Sequence, residues 1–365
     1  MEIKKFHLKD FPDDRIRVLF KDNKKFLDKN INYFGSLKKL AQFLSVSPQV
    51  VHFWKKLNLF IPLTHIKKIA NERNLGWDEI ESDVVAYKGL NSSLVIKNPK
   101  LPIIESPELF ALIAHLIGDG SVNKNNIPIY TNSNRELIDN FQKLILSVFG
   151  DAEEKIYKGK HGCFELRASR TVADLVKFFY NIDFNARSAR IPDRIKDLPK
   201  EFSVALIRAF ADDEGNVDLN HRVIIYSTNR PVLLFIKDLL TEKLAFTDIQ
   251  ISEKSESYFY LTIKPKEIEK YFQVIGFNHP IKLNRLSKII EMRNNSNGGR
   301  RKYNETREKI INLLASQNLS TEELVFELGV RKSNVNTPLK DLCKRNVISK
   351  ADKIGQKIIW TKLEV

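Results

Sequence analysis

A chain of 365 residues is longer than one ordinary core can organise, so length alone points to two or three domains. Hydrophobic residues make up 42% and charged residues 29%, with only 14 glycines and 13 prolines, which excludes a disordered or low-complexity chain. A formal net charge of +15 favours a polyanionic partner such as nucleic acid, and two isolated cysteines, Cys163 and Cys343, exclude both a disulfide framework and a cysteine-rich zinc site.

The opening "MEIKKFHLKD" has no apolar signal core, and no apolar run is long enough to span a bilayer, so a cytoplasmic protein with no membrane contact is expected. The first patterned stretch, "SLKKLAQFLSVSPQVVHFWKKLNLFIPLTHIKKIANERNL", begins at Ser36. It reads as an apolar-periodic helix, the turn "LSVS", and a second helix opened by Ser47 as cap and Pro48 in the first turn. This pattern resembles the helix-turn-helix of the phage-repressor and Cro-like class. The resemblance implies an all-α DNA-binding module over residues 1–90. Gln49, His52, Lys55 and Lys56 would then face a major groove, while Val50, Val51 and Trp54 fill the module's core. A linker is expected over 91–104, around "NSSLVIKNPKLP".

The middle of the chain repeats itself. "ALIAHLIGDGSV", from Ala111, and "ALIRAFADDEGNV", from Ala205, are both small and apolar runs that end in acid and glycine. Three further blocks recur in the same order after each: "IPIYTNSNRELIDNFQKLI" with "VIIYSTNRPVLLFIKDLL", "CFELRASRTVADLVKFFYNIDF" with "YFYLTIKPKEIEKYFQVIGF", and "NARSARIPDRI" with "NHPIKLNRLSKII". Each unit reads as an apolar helix ending in the acid, a strand pair, a helix, further strands and a closing helix. Ala111, Ala114 and Gly118, like Ala205 and Ala209, fall at spacings of three and four. Each helix therefore offers a narrow face along which two backbones can approach, bringing the terminal acids together. Paired carboxylates repel unless a cation lies beside them, the arrangement that divalent-metal phosphodiester chemistry requires.

"LIAHLIGDG" and "IRAFADDEG" resemble the two nine-residue motifs of single-chain LAGLIDADG homing endonucleases, over roughly residues 105–292. The resemblance implies an α+β fold: two pseudosymmetric αββαββα repeats, 105–198 and 199–292, forming a saddle over double-stranded DNA. Asp119 and Glu214 stand at the metal-binding acid position, with Mg²⁺ as the implied cofactor and Mn²⁺ as a substitute. Asp212 and Asp213 compete with Glu214 for that role, and Gly118 and Asp213 are further candidates at the metal. Arg167 and Arg170, with Lys264 and Lys266, are candidates for the basic groups that orient water and neutralise charge during cleavage, or else contact phosphates. Two residues depart from the family pattern: His115 stands where small or apolar residues are usual, and Asp213 where alanine is usual.

A second linker, 293–304, contains "RNNSNGGRRKYN". Beyond it, 305–365 reads as three helices and a two-stranded wing and resembles a winged helix, with a capping box at Ser320 and Glu323. Lys332, Ser333, Asn334 and Asn336 are candidate groove or phosphate contacts, and Lys350, Lys353 and Lys357 would decorate the wing. The expectation is a monomeric, site-specific DNA endonuclease with a DNA-binding module at each end. The alternatives are a transcription regulator that kept the saddle but no longer cuts, and an RNA-splicing maturase, for which RNA would be the partner.

Overall fold

Ser36 and Ser47 each open a helix by accepting a backbone N–H three residues on, from Lys39 and Val50 respectively. The resulting helices, Leu37–Leu44 and Pro48–Lys56, are separated by a left-handed Ser45, which turns the chain between them. Val51 and Trp54 are buried, as the spacing requires. The structure, a computed structural model, describes residues 2–159, 162–185, 187–296, 303–330, 332–354 and 357–363.

The all-α expectation for the N-terminal module is corrected by a four-stranded antiparallel sheet, in the order Ile61–Pro62, Ile16–Phe20, Val84–Gly89, Ile96–Lys97. The segment expected as a linker, 91–104, carries two short strands, Ile96–Lys97 and Ile103–Ile104. Lys97 exchanges two backbone hydrogen bonds with Asp151, at 2.7 and 3.0 Å, and Ile103–Ile104 pairs with Lys5–Phe6. Nearby, the Gly89 N–H donates to Thr171 Oγ1 at 2.8 Å. The buried Glu105 carboxylate accepts from the Lys4 N–H, the Tyr180 hydroxyl and the Arg194 guanidinium.

Two compact units emerge, residues 1–214 with 227–245 and 255–259, and residues 215–226 with 246–254 and 260–365. The first unit holds the N-terminal module, the first repeat and the second motif helix. The repeat runs as the motif helix Pro107–Ile117, strands Gly120–Val122 and Pro128–Asn132, helix Arg135–Val148, strands Lys155–Lys158 and Phe164–Arg167, and helix Arg170–Tyr180. Its antiparallel sheet places the fourth strand between the second and the third. The inward faces of strand and helix meet at Tyr130 and Phe141, whose rings stack at 4.6 Å.

The second unit repeats that strand order with Gly215–Val217, Val223–Ser227, Tyr258–Ile263 and Ile249–Ser255. A helix, Pro280–Ser296, extends into the segment expected as the second linker, of which 297–302 lie outside the described residues. Then follow helices Tyr303–Ser316, Thr321–Leu328 and Lys332–Lys344, and a three-stranded sheet in the order Leu319–Ser320, Lys357–Lys362, Ile348–Ile354. Ile310, Leu324, Leu339, Leu342 and Trp360 build its core, against which Leu219 packs. The Ser320–Glu323 capping box forms, with both reciprocal hydrogen bonds present. Among the described residues no helix is long and apolar enough to cross a membrane.

Candidate active site at the motif helices

The first motif helix is apolar on nearly every face, and all of Leu109–Ile117 is buried. Such a helix belongs inside a domain, and it packs along the second motif helix, Lys200–Glu214. The two run in the same direction. Near their starts the rings of Phe110 and Phe202 meet edge to face at 5.8 Å, and near their ends His115 Nδ1 lies 2.9 Å from Asp213 Oδ2. The ends that carry the motif acids therefore emerge together.

Both glycines around Asp119 are required by close approach. A Cβ on Gly118 would lie 2.7 Å from Asp213 Oδ2, and one on Gly120 would lie 2.5 Å from the His115 carbonyl oxygen and 2.7 Å from Leu116 Cα. The Gly120 contact is to rigid backbone. Gly120→Ala is thus expected to lower stability by about 1–3 kcal/mol, as overpacked sites do, which urea denaturation would measure.

Asp213, the departure from the family pattern, is the hub of the seam. Its side chain is 0% exposed. Oδ2 accepts from His115 Nδ1 at 2.9 Å and from the Asp119 N–H at 3.3 Å, and Oδ1 accepts the Tyr130 hydroxyl at 2.6 Å. His115 is fully enclosed too, with the Tyr130 and Phe141 rings edge to face against it at 5.1 and 6.0 Å. Burial alone would push the imidazole pKa down, but the charge and hydrogen bond of Asp213 prevail and hold it above its ordinary value. Burial first, then the Asp213 charge, pushes the Tyr130 hydroxyl pKa up, so it stays a donor.

Asp119 itself is exposed, and its Oδ2 accepts from Asn132 Nδ2 at 3.0 Å. Tyr130 and Asn132 lie two residues apart on one strand and so share a face. Neither was singled out from sequence, although the alternation of "IPIYTN" places both on the helix side. Glu214 follows Asp213 directly and ends its helix partly exposed, while Asp212 is buried. The site thus offers two accessible acids, Asp119 and Glu214, over a sequestered third. Asp213, expected as a candidate metal ligand, has its carboxylate committed to the seam instead.

Comparisons with known proteins bear on this geometry. The homing endonuclease I-ApeI of Aeropyrum pernix is 24% identical over 193 residues, 50% of this chain and 86% of that protein. The replication factor C small subunit of Thermococcus kodakarensis is 28% identical over 201 residues, 53% of this chain but only 22% of that protein. The crystal structure of I-DmoI in complex with DNA and Mn is similar over 46% of this chain and 96% of that one, at 20% identity and a TM-score of 0.35. Residues 304–350 match the bacterial regulatory protein, arsR family. Half of the chain is thus similar to a homing endonuclease.

The remaining expected site residues each have their own local partners. Arg167 is exposed, pairs with Glu165 and lies over the Tyr157 ring at 5.0 Å. Arg170 pairs with Asp174 one helical turn on. Lys264 and Lys266, in the second unit, both pair with Asp248. In the N-terminal module Gln49, His52 and Lys56 are exposed, whereas Lys55 is drawn into an ion pair with Asp28 on the helix Asn23–Phe34. Lys332, Ser333, Asn334 and Asn336 are exposed on the first turns of their helix, and Lys350 is exposed on its strand. Lys353 and Lys357 fall on the two wing strands, with side chains outside the described residues.

Proposed function

We propose that the chain is a site-specific endonuclease acting on double-stranded DNA at Asp119 and Glu214. The observation that carries this reading is the side-by-side packing of the motif helices, which ends with two accessible carboxylates flanking one buried hub. The donor set is all oxygen and anionic, which suits a hard divalent cation such as Mg²⁺, with Mn²⁺ as substitute. A cation bound there supplies charge stabilisation on the scissile phosphodiester. Asp119 and Glu214 would hold it, and Asn132 orients the Asp119 carboxylate.

The exposed face of the first sheet, with Ser121, Thr131, Lys155, Tyr157 and Arg167, is the proposed reading surface. A two-stranded segment of such a sheet fits a major groove, where arginine recognises guanine edges. Arg167→Ala is expected to weaken binding to the selected site by about 1–3 kcal/mol and to relax base preference at one position, read by titration against a substituted site series. The helix at Pro48–Lys56 and the turns at Lys332–Asn336 add contacts beyond the sheets.

The test is incubation of the full chain with a randomised duplex library in Mg²⁺ and in Mn²⁺, with sequencing of any cut ends. Defined double-strand cuts support the proposal. Selective binding without cleavage in either metal would instead make this a regulator on the same scaffold, a role that the arsR-type match at 304–350 also fits. A single chain with two repeats needs no second subunit, so light scattering should return a mass near 42.3 kDa. A mass of twice that would count against the monomer.

A further inference from the structure

Resting on the endonuclease reading, we infer that Asp213 is a positioning residue that anchors both motif acids at once, Asp119 through its backbone N–H and Glu214 through the chain itself. Both Asp213 oxygens are fixed by donors from different elements: His115 on the first motif helix, Tyr130 on the first sheet, and the Asp119 amide at the helix exit. Its side chain is 0% exposed, and the bond from the Asp119 amide lies at the exposed end of the seam. Gly118 leaves the space that the Asp213 carboxylate fills.

The arrangement divides the work of holding Asp119. Asp213, from the second repeat, holds its backbone, and Asn132, from the first, holds its carboxylate at 3.0 Å. Two like charges at neighbouring helix ends repel each other and tend to splay apart. A rigid anchor common to both opposes that, and reacting groups must sit within a fraction of an ångström of their working geometry. The departure from alanine at this position is therefore a coupling between the repeats.

The experiment compares Asp213→Ala, Asp213→Asn and Tyr130→Phe in the full chain. The first readout is hydrogen exchange at the Asp119 amide in metal-free, DNA-free protein. The second is the Mg²⁺ concentration for half-maximal cleavage, set against DNA affinity in Ca²⁺. Asp213→Ala should accelerate Asp119 exchange and raise the Mg²⁺ requirement roughly 10–100-fold, the usual effect of losing a group that orients a metal ligand, with DNA affinity unchanged. Asp213→Asn keeps an oxygen acceptor and should restore protection and most of the Mg²⁺ response. Tyr130→Phe, which releases only Oδ1, should fall between, and it carries the test if the alanine variant fails to fold. Wild-type exchange at Asp119 in both Asp213→Ala and Tyr130→Phe would overturn the inference. So would a loss of DNA affinity in the alanine and asparagine variants alike. If the wild-type protein cuts nothing, the endonuclease reading falls, while the exchange measurement still decides whether Asp213 anchors Asp119.

Discussion

Asp119→Asn and Glu214→Gln are each expected to stop cleavage in Mg²⁺ while leaving duplex binding in Ca²⁺ nearly intact. The substitutions keep shape and remove charge. Groups that merely orient a metal ligand are worth 10–100-fold, so losing a ligand should cost at least about 100-fold in the single-turnover rate. Both acids lie at the exits of packed helices: Asp119 is exposed and Glu214 is the last, partly exposed residue of its helix. Stability should therefore change little, which a thermal melt would confirm. An Asp119→Asn protein that cuts at the wild-type rate would remove that residue from the mechanism. Asp212→Asn, run beside Glu214→Gln, separates the accessible acid from its buried neighbour.

His115→Ala should be far more damaging to the fold than to any surface. It takes from Asp213 the imidazole at 2.9 Å and leaves a carboxylate enclosed at the seam, a class of change that costs about 3–5 kcal/mol. The ring's contacts with Tyr130 and Phe141 are lost too. Removing both partners, as in His115→Leu with Asp213→Ala, should cost less than the sum of the single variants, because no charge is then stranded. Urea denaturation of the four proteins would measure this. An additive double variant would show that the pair is not coupled.

The same ring gives the stability a pH dependence. Its folded pKa is raised above the ordinary 6.5, so the folded state holds its proton more tightly than the unfolded chain. That contribution is fully present below pH 6.5 and fades as pH climbs through the raised value. Wild-type stability should thus fall on going from neutral to alkaline pH, with a smaller fall in His115→Gln.

The duplicated motif, the strand alternation and the serine-opened helices were legible because each is a local pattern. "LIAHLIGDG" and "IRAFADDEG" announce two helices, their exits and the accessible acids without any tertiary information. His115 and Asp213 were visible only as two separate departures from a family pattern. They form one ion pair across 98 residues of chain, and nothing in a linear reading joins them. The N-terminal sheet escaped for a related reason. Its strand at Ile61–Pro62 is two residues long, and its other strands come from either side of the helices. Lys55 reads as exposed on helical spacing, but Asp28 on the neighbouring helix claims it.

The bonds that join the N-terminal module to the first repeat limit how this protein can be re-engineered. Lys97 with Asp151, Gly89 with Thr171, and Glu105 with Arg194 stitch residues 1–105 to the body of the first unit at several separate places. Cutting the chain near residue 90 or 104 would orphan polar groups on both sides of the cut, and the remaining half would carry that cost. Swapping recognition modules at this end therefore calls for replacing the seam along with the helix-turn-helix.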